Sequence, residues 1–299
     1  MSSFINKIAL DSCLNLPEEL TYGIEVEFEY AKYSAVRNVL KMLKFKNRIS
    51  DGWKLKPEPS LEVSDYSGEI TSPILHDTEK TYEEIETICQ VLKYMDGRNT
   101  RRCAGHIHIG SNILEDNVDY YVRLAKIWTV FEPEIIRFSL GEYETVRDTM
   151  PKYASAAAPF LRHIDKFEVG LLGEYSFENF AKCFSIEKKM AISFFYLPED
   201  KPFHTIEIRC PNGTLNPVIW KNNINFFTKL ILSCRDNKKD WKKINRMYHQ
   251  IKNDCGSDRE IDDDIEKAKL LAEFVFDDEQ DIKNFMIQYR KDSPKYLVR

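Results

Sequence analysis

No run in this 299-residue sequence reaches the ~18 consecutive apolar residues that a membrane-spanning helix needs. The opening MSSFINKIALDSCLNLPEEL lacks the long apolar stretch and small-residue cleavage site of a signal peptide. Cysteine pairing signals are missing too. The seven cysteines are odd in number, scattered singly and never spaced as CxxC, which argues against a disulfide framework or a zinc knuckle. They read as reduced thiols, so a cytoplasmic location is expected. The glycine-rich phosphate loops of parallel nucleotide-binding folds are absent: there is no GxGxxG, and no GxxxxGK followed by Ser or Thr. Basic charge is not in excess, and a net charge of −5 argues against a dedicated nucleic-acid binder. Internal repeats and low-complexity tracts are missing as well.

What the sequence does have is alternation. Its 43% hydrophobic content is ample for a core. In TYGIEVEFEY, from Thr21 to Tyr30, the apolar residues Ile24, Val26, Phe28 and Tyr30 alternate with Glu25, Glu27 and Glu29. That period predicts a strand with one apolar and one acidic face. Further on, the spacing predicts helices over 34–46, 78–94, 118–138 and 218–234, with Thr78 or Thr81 capping the second. Short strands broken by Pro57, Pro59 and Gly68 are expected in 51–73, and longer ones at 103–109, 190–197 and 204–210. The stretch 141–182 reads as loops and short helices around a site. The charged tail keeps apolar spacing at Ile261, Ile265, Ala268, Leu271 and Phe274, so it is expected to be helical and folded. Short strands joined by tight turns predict an α+β fold with a mainly antiparallel sheet covered by helices. A catalytic domain over 1–235 and a packed helical extension over 236–299 are expected.

Chemistry-bearing residues recur on these strands: Glu25 and Glu27; Glu58, Ser60 and Glu69; His106 and His108; Glu207 and Arg209. Each set has a plain reading. Glu25, Glu27 and Glu29 suit a solvated edge-strand face, the HxH a satisfied histidine pair, Glu207 and Arg209 an ion pair, and Glu69 a turn. Glutamates ~6.6 Å apart repel by roughly 2.5 kcal/mol at an effective dielectric of about 20. Brought to one face, the sets would instead hold hard divalent ions, which turn that repulsion into attraction. Two such ions serve phosphoryl chemistry. A zinc hydrolase is disfavoured, because His108 is followed by Ile109–Gly110–Ser111–Asn112 and not by an HxHxDH pattern.

The strand IEVEFE, the stretch PSLEVSDYSGEITSPIL, the motif CAGHIHIGS and the strand HTIEIRCPNGTLN stand in the order expected of the amidoligase family. Over about 22–230 the chain resembles that family, part of the glutamine synthetase and glutamate–cysteine ligase superfamily of carboxylate–amine ligases. The resemblance implies a curved, mainly antiparallel sheet of glutamine synthetase catalytic-domain type, with ATP and metals on its concave face and helices outside. It implies ATP-dependent amide or isopeptide formation through an acyl phosphate, with Mg²⁺ or Mn²⁺ at two or more positions. A glutamate–cysteine-ligase-like peptide ligase and a phosphotransferase using the same site are the alternatives. Metal ligands implied are Glu25, Glu27, Glu58, Glu69, His106 and Glu207. Glu69 and His108 are implied near substrate. Arg209 is implied on the ATP phosphates, with Arg137, Lys189 (or Lys188) and Ser111 as further cofactor contacts. Glu29 has no counterpart and is expected at a solvated rim. Arg101–Arg102 departs from the family pattern and reads as a solvated pair or as an extra phosphate or substrate clamp. The implied partners are a carboxylate and an amine, each small or protein-borne. A nucleic-acid substrate stays open, as does oligomeric state.

Overall fold

The computed structural model describes residues 3–62, 65–201, 204–253 and 264–291. Six strands form one open antiparallel sheet: β1 (Tyr22–Glu29), β2 (Lys54–Lys56), β3 (Ser67–Thr71), β4 (Gly105–Gly110), β5 (Ile192–Ser193) and β6 (Thr205–Ile208), in the order β2-β3-β1-β4-β6-β5. All strand pairings are antiparallel. Register sorts the side chains cleanly. Glu25 stands opposite Thr71 and His106, Glu27 opposite Glu69, and His108 opposite Glu207, so these residues share one face. Ile24, Val26, Phe28, Ile70, Ile107, Ile109, Ile206 and Ile208 share the other, each no more than 1% exposed. At ~1.5–3 kcal/mol per buried side chain, that apolar face contributes on the order of 12–24 kcal/mol. This is far more than the repulsion between neighbouring glutamates, so burial of the apolar face decides the register.

Eleven α-helices accompany the sheet among the described residues. They are α1 (Tyr33–Phe45), α2 (Glu79–Tyr94), α3 (Val118–Ser139), the short α4 (Met150–Tyr153), α5 (Ala158–Leu161), α6 (Ile164–Glu168) and α7 (Phe177–Phe184), then α8 (Pro217–Ser233), α9 (Trp241–Asn253), α10 (Ile265–Val275) and α11 (Glu279–Arg290). The start of α2 is fixed by Thr78, whose side chain accepts from the backbone N–H of Thr81. Pro133 and the non-helical Phe131 kink α3, which is otherwise buried along most of its length. The apolar sides of α1, α2, α3 and α8 form one cluster with the sheet. Ile244 of α9, Leu271 of α10 and Phe285 of α11 belong to the same cluster, so the charged tail is folded onto the body. Ile261, the first apolar position expected in that tail, lies outside the described residues, as does Cys255. The other six cysteines are free, and no described helix is long and apolar enough to cross a membrane.

Of the expected strands, 190–197 is much shorter than the sequence suggested, and in 51–73 the break at the prolines is found but the one at Gly68 is not, since Gly68 lies inside β3. The 190–197 stretch pairs only at Ile192–Ser193 before the chain turns. In 51–73 the prolines at 57 and 59 end β2 at Lys56, so Glu58 and Ser60 lie in the following turn and not on a strand. The outermost strands, β2 and β5, are the shortest of the sheet, and Lys54 and Lys56 of β2 are exposed.

Candidate active site

The polar sheet face gathers the residues singled out above. Three overlapping groups bring their ligand atoms within 4.8 Å of one another: Glu25–Glu69–His106, Glu25–His108–Glu207 and Glu27–Glu58–Glu69. Glu25 joins the first two and Glu69 joins the first and third. All six expected metal ligands are therefore in the set. His108, expected beside substrate, stands among them on equal terms with His106. Gly105, just before His106, is required by packing, since a Cβ there would sit 2.9 Å from the ring of Trp220.

Hydrogen bonds orient the imidazoles. His106 Nδ1 lies 2.8 Å from Glu25 Oε2. With the proton on Nδ1, this bond leaves Nε2 as a lone-pair donor, the usual arrangement behind a metal-ligating histidine. His106 Nε2 and Glu207 Oε2 are buried with no hydrogen-bond partner among the described residues. His108 Nε2 lies 3.3 Å from Glu25 Oε1 and 3.6 Å from Glu207 Oε1, close enough for charge attraction but outside hydrogen-bond geometry. Its Nδ1 lies 3.3 Å from the Thr205 hydroxyl.

Charge is distributed unevenly. Burial pushes Glu69 up to about 9, reinforced by the charges of Glu25, Glu27 and Glu58. Burial also raises Glu27, although His106 and an N–H bond from Ala104 at 2.6 Å oppose it. Burial acts upward on Glu25 too, but the hydrogen bond to His106 and the close approach of both imidazoles overcome it and hold this carboxyl well below its usual range. His108 is raised: burial lowers it, and the carboxylates of Glu25 and Glu207 outweigh that effect. Oxygen-rich groups, two with one imidazole and one with carboxylates alone, suit Mg²⁺ or Mn²⁺. Buried lone pairs without donors, and carboxyls that burial and then neighbouring charge push toward protonation, are what such ions would relieve. The residues present therefore fit the implied metals.

Arg209 donates from Nε to the Tyr153 carbonyl at 2.9 Å and from Nη1 to Glu207. With Glu27, Glu58, His106 and Arg102 it lines a cavity of ≈ 60 Å³. A second, wider cleft of ≈ 750 Å³ opens beyond the ends of β4 and β6, lined in part by Ser111, Lys182, Asp200 and His204. Ser111 belongs to that cleft and donates to the His204 carbonyl at 3.0 Å. Lys189 is exposed, with its ammonium 5.3 Å from the centre of the Tyr153 ring, while Lys188 lies over Tyr196, whose ring centre is 5.9 Å from that of His108. Arg137 is not brought to the sheet face. It sits at the end of α3, bonded to Glu144, and Lys291 donates to its carbonyl.

One residue was misjudged, one stood between two readings, and one was missed. Glu29 is not at a solvated rim: it is fully buried and accepts from Thr100 and from the Arg102 guanidinium. Arg102 is accordingly no solvated residue, whereas its neighbour Arg101 is exposed and paired with Asp148 at 2.8 Å. The missed residue is Arg147, 2% exposed, whose guanidinium donates to the carbonyls of Arg209, Cys210 and Pro211. Burial lowers it to about 10, against the pull of Glu27. Nothing in the irregular 141–182 stretch marks it out from the other basic residues there. The chain matches no family model, and no curated protein matches it.

Proposed function

We propose that the protein is an ATP- and divalent-metal-dependent carboxylate–amine ligase of the amidoligase kind, on a sheet of glutamine synthetase type. The observation that carries this reading is the chain of three ligand groups linked through Glu25 and Glu69 on one sheet face. Mg²⁺ or Mn²⁺ held there would neutralise charge on a transferring phosphoryl group. Arg209, beside the carboxylates, supplies a guanidinium for phosphoryl oxygens. In the reaction, a substrate carboxylate oxygen bonds to the γ-phosphorus of ATP and the bond to ADP breaks. The amine nitrogen then bonds to the acyl carbon, phosphate leaves, and the amine proton passes to a base. The sheet face orients these groups and the buried side chains keep water from the acyl phosphate.

The test is direct. Purified protein with ATP, Mg²⁺ or Mn²⁺, a panel of carboxylic acids and hydroxylamine should release ADP and accumulate an acyl hydroxamate. Hydroxamate with free amino acids alone would point to the peptide-ligase variant. Metal-dependent ADP release that never yields hydroxamate would replace the ligase with a phosphotransferase on the same site.

A further inference from the structure

Arg102 carries an arrangement that the proposed reaction does not yet use. Its Nε and Nη2 donate to the Glu29 carboxylate at 3.1 to 3.3 Å, and Glu29 is fully buried. Its Nη1 lies 3.2 Å from Glu62, whose side chain is 70% exposed. The two sides of the guanidinium are thus unequal. The Glu29 side is dry and forked, which fixes the plane of the group. The Glu62 side is solvated, where an ion pair contributes little, so an incoming oxyanion can replace Glu62 at little cost. Arg102 lines the same ≈ 60 Å³ cavity as Glu27, Glu58, His106 and Arg209. At ~10–15 Å³ per water, that space takes about four to six atoms of water size. This matches a phosphoryl or carboxylate group and leaves no room for a nucleoside.

We infer that Arg102, positioned by Glu29, binds the oxyanion end of a substrate together with Arg209, and that Glu62 occupies the ligand's place until it is displaced. This role rests on the reading of the cleft as a site of metal-dependent acyl-phosphate chemistry. The oxyanion is either the phosphoryl group of ATP or the carboxylate of the acid substrate, which present the same oxygen pair to a guanidinium.

Calorimetric titration of the full chain with inorganic phosphate, and separately with acetate, each with and without Mn²⁺, tests it. Arg102→Met should weaken one or both anions by about tenfold or more. Glu62→Ala, at an exposed position that does not threaten folding, should tighten the same anion about two- to fivefold. Glu29→Gln keeps an acceptor for the guanidinium and should hold affinity within about threefold, whereas Glu29→Ala should lose it as Arg102→Met does. An effect on phosphate alone identifies the phosphoryl group; an effect on acetate alone identifies the carboxylate. Affinities unchanged in both Arg102→Met and Glu62→Ala would overturn the assignment, as would failure of the unaltered protein to bind either anion. Absence of Mn²⁺ binding by electron paramagnetic resonance would strike the metal reading alone, because the metal-free titrations still report on Arg102.

Discussion

In the helical layer, Glu84 and Glu132 are buried carboxylates with three donors aimed at each; on the sheet face, Glu27 takes a single N–H, from Ala104, and stands opposite the buried carboxyl of Glu69. Glu84 accepts from Ser50 N–H and hydroxyl, each at 3.0 Å, and from Trp53 Nε1 at 2.6 Å. Glu132 accepts from Trp128 Nε1 at 2.8 Å and from the N–H groups of Ala157 and Ala158. Those bonds offset the cost of burial and tie α2 and α3 to their surroundings. Burial drives Glu69 toward protonation, and three neighbouring carboxylates add to it. The same residue type, at similar burial, is therefore cement in one region and an unrelieved cost in the other. Glu29 sharpens the contrast. It lies on the sheet face, yet its partners make it one of the cemented kind.

Substitutions should separate the two regions. The largest effect is expected at Glu25→Gln or Glu27→Gln: metal-dependent ADP release should fall by about 10³-fold or more, with melting temperature unchanged or higher for Glu27→Gln and lower for Glu25→Gln, whose carboxylate the two histidines stabilise. A coupled ADP assay and thermal melts check this, and wild-type turnover in either variant would remove these residues from the site. Next, Glu132→Ala should cost about 3 kcal/mol in denaturant unfolding, because three donors are left without an acceptor. A loss no greater than that of Glu27→Gln would erase the distinction between the regions.

Proton linkage gives a smaller, signed effect. The folded chain holds the Glu69 proton up to about 9, while the ordinary value is 4.5. The folded state therefore binds more protons between those values, and in the metal-free protein this group's contribution to stability falls as pH rises through that window. Mn²⁺ should expel the proton and bind more tightly as pH rises toward 9, releasing about one proton per ion at Glu69 near pH 7. Titration in weakly buffered solution would show it, and Glu69→Gln should abolish the release and raise metal-free stability by about 1 kcal/mol. The smallest effect is expected at Lys189→Ala, since the side chain is exposed at the rim: KM for ATP should move by less than about threefold.

The acidic face of β1 was legible because alternation fixes which side chains share a face. The HxH of β4 and Glu207 of β6 were legible for the same reason. The order of the strands was not, since pairing of β1 between β3 and β4 depends on contacts some forty to ninety residues apart in sequence. Glu29 was misread for a related reason: the same period that grouped it with Glu25 and Glu27 carries no information about Arg102, 73 residues away. Arg147 stayed hidden because its partners are backbone carbonyls, which every residue possesses. Pro57 and Pro59 were visible, and their effect was physical: they took Glu58 off a strand yet left it within reach of Glu27 and Glu69.

The brevity of β2 and β5 bears on how this chain behaves in company. A sheet grows by offering an unpaired row of backbone groups to a newcomer, and here the rows at the two margins are three and two residues long. Lys54 and Lys56 add like charge against any second copy laid alongside β2. A face crowded with half-neutralised carboxylates could have been a point of self-association for partly folded chains. Its margins instead give a foreign strand almost nothing to template upon, so the costly surface can be kept for ligands while the protein resists aggregation during folding.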